Sequence, residues 1–291
     1  MSAALSAPAG ILSIFRLLRV LPLSGLVSAG IIAIYVLIAV TAPLWTPFEP
    51  SAVLVGAPLA PPGAEHLFGT DSLGRDIFSR VMHGTRPVLI MSLSAASMAV
   101  LMGSTIGLFS AYLRGWFDQL VMRAMDILIS IPTLIFAILI LSALGNTLWL
   151  VVAAVAFINM PRIARVVRAA ALSIVAEDYV TSAMMRGQSA PGIVFIELLP
   201  NVLGTIFVEF AVRSGFIIVF IGALGFLGFG APPPTPEWGV MINEGRGSMT
   251  ASVWPVIAPA AAMAVLVVSL NLFTDAIASR IGANMSAGPR V

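Results

Sequence analysis

Lysine and cysteine are both missing from the 291 residues, and charge of either sign is scarce, at 10%. Without cysteine there is no disulfide, no thiolate nucleophile and no cysteine-ligated metal, and the redox compartment leaves no mark on the chain. Without lysine, the phosphate-binding loop G-x-x-x-x-G-K-[ST] cannot be built, and neither can a lysine Schiff base. The signatures H-E-x-x-H and G-x-S-x-G are also absent. The two histidines, His66 and His83, lie in one loop with no set of further ligands. No catalytic site, cofactor or metal is expected. All fifteen basic residues are arginine. They are dispersed rather than gathered in a patch, so a pI of about 9.7 does not point to nucleic acid.

What is present is apolar. Ordinary globular domains are about 25% charged; this chain is 59% hydrophobic, with a mean hydropathy of +1.04. It is a chain solvated mostly by membrane lipid. A span needs about 20 apolar residues. Charge-free stretches run between Arg19 and Glu49, Arg86 and Arg114, Asp126 and Arg162, Arg213 and Glu237, and Arg246 and Asp275. The third is long, and Gly145-Asn146-Thr147 reads as a turn dividing it. Six spans are therefore expected, near 23–45, 88–112, 120–144, 147–168, 200–230 and 253–279. The first exceeds the apolar core of a signal peptide, about 7–15 residues, and reads as an uncleaved anchor.

Arginine bias sets the orientation. With the N-terminus inside, cytoplasmic segments hold Arg16, Arg19, Arg114, Arg123, Arg162, Arg165, Arg168, Arg186, Arg280 and Arg290. External segments hold only Arg75, Arg80, Arg86 and Arg246. Both termini are then cytoplasmic: an N-terminal segment 1–22, a transmembrane domain 23–280 and a tail 281–291. Two connections exceed simple turns, an external loop at 46–87 and a cytoplasmic loop at 169–199. Such loops are where function concentrates.

In the external loop, Asp71 is a candidate N-cap and Gly84 a candidate C-cap. Between them Leu73, Ile77 and Val81 share a face, and Asp76 and Arg80 are spaced to pair. The pattern predicts an amphipathic helix at the outer membrane interface. It serves either as a structural plug or as a docking surface or lid. The stretch Phe68-Gly69-Thr70-Asp71-x-x-Gly74-Arg75-Asp76-x-x-Ser79-Arg80-x-x-x-Gly84-x-Arg86 closely resembles a signature of the dipeptide/oligopeptide/nickel ABC importer permeases. It looks like the second of the two permeases that such systems use. Leu224 to Gly239 resembles that family's FLG-x-G-x-x-PP-x-P-x-WG segment. Asn271-Leu-Phe-Thr-Asp275 resembles its N-L-x-G-D, with Thr274 in place of glycine. The likeness runs from about 66 to 275.

That resemblance implies an all-α membrane protein of the type I ABC importer permease fold, in a bacterial inner membrane. It also implies partners: a second homologous permease subunit, two ATP-binding-cassette ATPase domains and an external solute-binding protein. Gly69, Thr70, Asp71, Gly74, Arg75, Asp76 and Arg80 are the external candidates for partner docking.

The cytoplasmic loop reads, by its residues alone, as a short helix broken at Gly187, either a connector or a handle for a partner. The family carries an EAA-x3-G-x9-I-x-LP motif there, whose coupling helix sits in a cleft of the ATPase. Thr181-Ser182-Ala183-x3-Gly187, with Leu199-Pro200, keeps that spacing, while Thr181, Ser182 and Glu197 replace the motif's Glu, Ala and Ile. Glu177 and Asp178 are candidate substitutes for the lost acid, although a helix N-terminus also favours acids locally.

Within the spans, Ala95, Ala99, Gly103, Gly107 and Ala111 form one small-residue stripe, which permits close helix packing. Glu209 and Arg213 share a face of the fifth span, and isolated charges there would each cost about 2.5–3.5 kcal/mol. They are a structural pair or line a pathway, with Asn159 a weaker candidate beside Asp126, Asn271 and Asp275. Pro132, Pro161, Pro200, Pro255 and Pro259 mark expected bends or starts. The rival to an ABC importer permease is a secondary transporter or channel, which would need its own carboxylate relay, and only Asp126 and Glu209 qualify.

Overall fold

The computed structural model describes residues 22–232 and 234–286, with side chains through Ser279. Most of the expected segments 1–22 and 281–291 lie outside the described residues. The elements are α1 (Leu23–Trp45), α2 (Ile77–Leu113), α3 (Gly115–Ser130), α4 (Thr133–Leu144), α5 (Leu148–Val175), α6 (Asp178–Met185), α7 (Ala190–Phe226), α8 (Trp238–Gly245) and α9 (Trp254–Ser286). No strand forms among the described residues beyond an isolated Thr70–Asp76 bridge. Five helices are long and apolar enough to span, and α3 with α4, which meet at a 91° bend, make a sixth if the bent pair is counted as one span. Five of the expected spans are thus present as continuous helices, and the third as a bent pair.

Their boundaries differ from the sequence reading in instructive ways. The expected interfacial helix does not exist as a separate element. It is the start of α2, a single helix of 37 residues, about 55 Å at 1.5 Å per residue against a hydrocarbon core of roughly 30 Å. Asp76, not Asp71, is its N-cap, accepting from the Ser79 amide at 2.8 Å. Gly84 does not end it. A side chain there would meet the Trp238 ring at 2.9 Å, so this glycine is a packing site. Pro87 lies inside the helix without ending it. The first turns are held from outside: Ile77 and Val81 are buried with Trp238, Met241, Ala258 and Leu266 of α8 and α9.

The bend in the third span falls at Ile131-Pro132, where proline lacks an N–H and disfavours helix in the residue before it. The fifth span begins earlier than expected, at Ala190, and contains a wide π turn over Ile193–Leu198 just before Pro200. Pro200 has no N–H for the Ile196 carbonyl, and π turns are one way a helix absorbs such a gap. The cytoplasmic loop correspondingly shrinks to the two short connections that flank α6.

The bundle is built on α2 and α5. A Cβ on Gly103 would sit 2.8 Å from the Met160 carbonyl oxygen, and one on Gly107 would sit 2.5 Å from that of Ala164. Ala95, Ala99 and Ala111 on the same stripe are fully buried. Small residues thus let two backbones touch, as their spacing predicts. Along this seam α7 packs from Ile193 to Leu224 and α4 packs against the first half of α5, while α8 with parts of α1 and α9 closes one end and α6 lies at the other. Much of α1 is exposed apolar surface, as suits a lipid-facing helix.

Candidate functional site

At the capped end, the 68–86 signature folds inward. Asp71 accepts from the Leu73 and Arg75 amides at 2.8 and 3.0 Å. Its Oδ2 also accepts from Arg75 Nε and Arg80 Nη1, both at 2.6 Å. Glu244 on α8 takes the other ends of the same two arginines, at 2.7 and 2.9 Å. Two acids and two bases alternate, so an Arg80 only 3% exposed is neutralised by hydrogen-bonded partners, the condition under which a buried charge is tolerable. The Asp76–Arg80 pair expected from spacing does not form. Asp76 instead caps α2 and holds His66 Nδ1 at 2.9 Å.

Gly69 and Gly74 have φ of +74° and +70°, and a Cβ at either would strike a backbone oxygen within 2.5 Å. Thr70 accepts from the Ala60 amide at 2.8 Å and donates to the Ala57 carbonyl. Among the signature residues, therefore, most side chains build the cap, and Ser72, Leu73 and Arg86 are the exposed ones.

Beside this cluster lies a residue that the sequence marks only as the end of a charge-free stretch. Glu237 is fully buried and caps α8, accepting from the Gly239 and Val240 amides at 2.8 and 3.2 Å. Its carboxylate rests against Gly225 and Gly230, where any Cβ would overlap it, and Gly239 packs on the Gly222 backbone. The glycines of the Leu224–Gly239 segment are what let α8 dock on the end of α7. The signal in the sequence was an acid directly before the first residue of a helix.

Burial pushes Glu237 up to about 7, against the two amide bonds that favour its charged form. The folded chain thus keeps a proton between about pH 4.5 and 7 that the unfolded chain has released. Its stability is highest below that window and falls as pH rises through it, by about 3 kcal/mol. The thermal unfolding midpoint of detergent-solubilised protein is expected to fall from pH 5 to 7.5, and Glu237→Gln to flatten the curve. Equal slopes in both proteins would refute this assignment.

At the opposite end, α6 shows two faces. Val180 and Ala183 are fully buried against α5 and α2, whereas Tyr179, Thr181, Ser182, Met185 and Arg186 are exposed. Glu177 occupies the N-cap without a side-chain cap bond, and both it and Asp178 are solvent-facing. Gly187 ends the helix at φ +75°, with its amide on the Met184 carbonyl at 3.0 Å. Pro200 is exposed and Leu199 half-buried, while the adjacent Leu198 is the buried anchor.

A pair missed in the sequence lies nearby: Asp118 of α3 receives two hydrogen bonds from Arg168 of α5 and one from Ser110 of α2. No sequence rule pairs residues fifty positions apart. Asp126 likewise pairs with Arg165, at 3.2 Å on the surface.

Inside the bundle, Glu209 and Arg213 do form their i,i+4 pair, at 3.1 Å and largely buried. Asn159 does not join them. It is fully buried, donates to the Val155 carbonyl at 2.8 Å, and its Oδ1 has no partner. An open groove of about 500 Å³ separates Pro132, Thr133 and Leu134 at the broken span from Phe216, Val219 and Phe220 of α7. Among the described residues no cluster of His, Asp or Glu of a size to hold a metal occurs.

Comparison with known proteins bears directly on these features. Residues 103–283, which include α6 and the Asp118–Arg168 pair, match the family described as binding-protein-dependent transport system inner membrane component. The dipeptide transport system permease protein of Alkalihalophilus pseudofirmus is 35% identical over 88% of this chain and 84% of its own length. The dipeptide transport system permease protein of Haemophilus influenzae is 36% identical over 84% of this chain and 85% of its own. The glutathione transport system permease protein of Pectobacterium atrosepticum is 38% identical over 74% of this chain and 71% of its own. A bundle of five or six apolar spans with this length and identity of match has one reading: the chain belongs to the permeases of the binding-protein-dependent transport system inner-membrane family, multi-pass proteins of the bacterial inner membrane.

Proposed function

We propose that this permease moves a peptide-like solute inward by alternating access driven by partner ATPases. The observation that carries the reading is α6, a helix anchored to the bundle by Val180 and Ala183 whose remaining surface is unoccupied. In this reading Glu177, Asp178, Thr181 and Ser182 face the cleft of an ATP-binding-cassette domain. Ala183, Gly187, Leu199 and Pro200 shape the helix and its return into α7. The arginine bias supports the α6 end as cytoplasmic, with both termini on that side.

The capped end then faces outward, and the ion-pair cluster of Asp71, Arg75, Arg80 and Glu244 holds a rigid platform for an external solute-binding protein. A second homologous permease completes the pathway, and two ATPase domains supply the chemistry that a lysine-free chain cannot. A helix broken at membrane depth is tolerated where it is covered by protein or lines a wet cavity. On that ground the pathway runs along the groove beside Pro132 and the Glu209–Arg213 pair. The peptide-like substrate follows from relatives named for dipeptide and glutathione transport.

The test is uptake of a labelled dipeptide into proteoliposomes holding both permeases, the ATPases and the binding protein. Uptake is expected to require ATP and to vanish when the ATPases are inactivated. Uptake that survives their inactivation and collapses with a protonophore would establish a secondary transporter instead.

A further inference from the structure

The bundle contains one tightly packed block. Gly103 and Gly107 bring α2 into backbone contact with α5, and Val180 and Ala183 bury α6 among Leu108, Ala111, Val167, Ala171 and Val175 of those two helices. Displacing α6 must therefore move α2 and α5 with it. The broken span is attached differently. Arg114 and Gly115, both at positive φ, make the turn between α2 and α3. Along α3 only Asp118 and Met125 are buried. Met125 makes an apolar contact with Met160 and Ala164, and Asp126 a solvent-exposed pair with Arg165. The directional attachment is Asp118, whose two carboxylate oxygens are each bonded by one nitrogen of the Arg168 guanidinium. Ser110 of α2 donates to the same Oδ1.

A bidentate guanidinium–carboxylate fork fixes angle as well as distance. At its far end α3 turns by 91° into α4, whose first residues form one wall of the groove facing Phe216 and Val219 of α7. We propose that the Asp118–Arg168 fork is the linkage through which motion of α6 reaches the broken span and changes the width of that groove. Asp118 and Arg168 are positioning residues: they touch neither ATPase nor solute, and set where α3 goes when α5 moves. This rests on the ATPase-coupled reading above, and deepens it.

The absence of cysteine makes the test direct, because introduced thiols are the only ones in this chain, and the partner subunits are used as cysteine-free variants. Spin labels at Leu134→Cys and Val219→Cys report the groove, in the assembled complex with and without ATP and vanadate. A second pair, at Met185→Cys and a site on the ATPase, reports the engagement of α6. In the otherwise unaltered chain both distances are expected to change with nucleotide. With Asp118→Asn the α6 distance still changes and ATP hydrolysis stays within about twofold, while the groove change falls to less than a third. The exchange Asp118→Arg with Arg168→Asp restores it.

A groove change that persists at full size in Asp118→Asn overturns the inference and leaves the coupled reading standing. No nucleotide-dependent change at either pair in the unaltered chain overturns both. If Asp118→Asn fails to assemble, Arg168→Lys, which keeps the charge but loses the two-pronged bond, takes its place and is expected to reduce the groove change in the same way. Failure of both variants to assemble assigns the cluster to folding alone and also overturns the inference.

Discussion

Gly107→Leu is expected to leave almost no folded protein. A Cβ at this position lies 2.5 Å from the Ala164 carbonyl oxygen and 2.9 Å from the Arg168 amide nitrogen, and both belong to a backbone that has no rotamer to yield. The two helices must separate along the seam on which α4, α6 and α7 are assembled. Overpacking a core typically costs about 1–3 kcal/mol when side chains can adjust. Here they cannot, and the loss approaches the whole stability of a domain, about 5–15 kcal/mol. Gly30→Leu on α1 is the control, since a Cβ there meets nothing within 4 Å. The readout is the monodisperse fraction after detergent extraction, about tenfold lower for Gly107→Leu and unchanged for Gly30→Leu. A normal yield of Gly107→Leu would show that the seam is far looser than its distances indicate.

The second large effect separates the two faces of α6. Ser182→Arg places a bulky cation on the exposed face, and is expected to leave extraction and thermal stability intact while cutting ATP-driven uptake at least tenfold. Ala183→Arg differs in kind. From spacing alone, an arginine at 183 reads as a change that spares the membrane protein and blocks coupling. The structure corrects this, because Ala183 is fully buried among Val167, Val175 and Leu198. An unpaired charge there costs on the order of 3–5 kcal/mol and dislodges the helix. Its loss of uptake is expected to come with loss of folded protein. Gly187→Val is milder: the site is open, but φ of +75° costs a branched residue about 1–2 kcal/mol. Equal stability of Ser182→Arg and Ala183→Arg would sink the assignment of faces.

These contrasts show how far one-dimensional signals reach. The Gly103-x-x-x-Gly107 stripe predicts a close contact and leaves open its partner, which is α5. The spacing of Asp76 and Arg80 predicts an ion pair, yet each is claimed by a stronger partner: Asp76 by the Ser79 amide and His66, and Arg80 by Asp71 and Glu244. The spacing rule for helical pairs assumes that both residues lie inside a helix, and Asp76 lies just before one. Glu209 and Arg213, both well inside α7, obey it. Pro132 predicts a bend, but its 91° depends on where Asp118 and Met125 tie α3 to the rest of the bundle.

Composition and order along the chain suffice to determine that this is a lipid-solvated helical bundle, roughly which segments are apolar enough to span, and that the chain carries no P-loop. Those properties follow from local energies: the cost of charge in hydrocarbon, the need of a backbone in lipid to bond internally, and the missing lysine. Tertiary structure alone decides which charges are neutralised, and by what. Glu244 meets Arg80 and Arg75 across 164 and 169 residues of chain, Asp118 meets Arg168 across fifty, and Glu237 meets no cation at all among the described residues. In a low-dielectric interior the energy of a charge is set by its few nearest neighbours, and those neighbours exist only once the helices have packed.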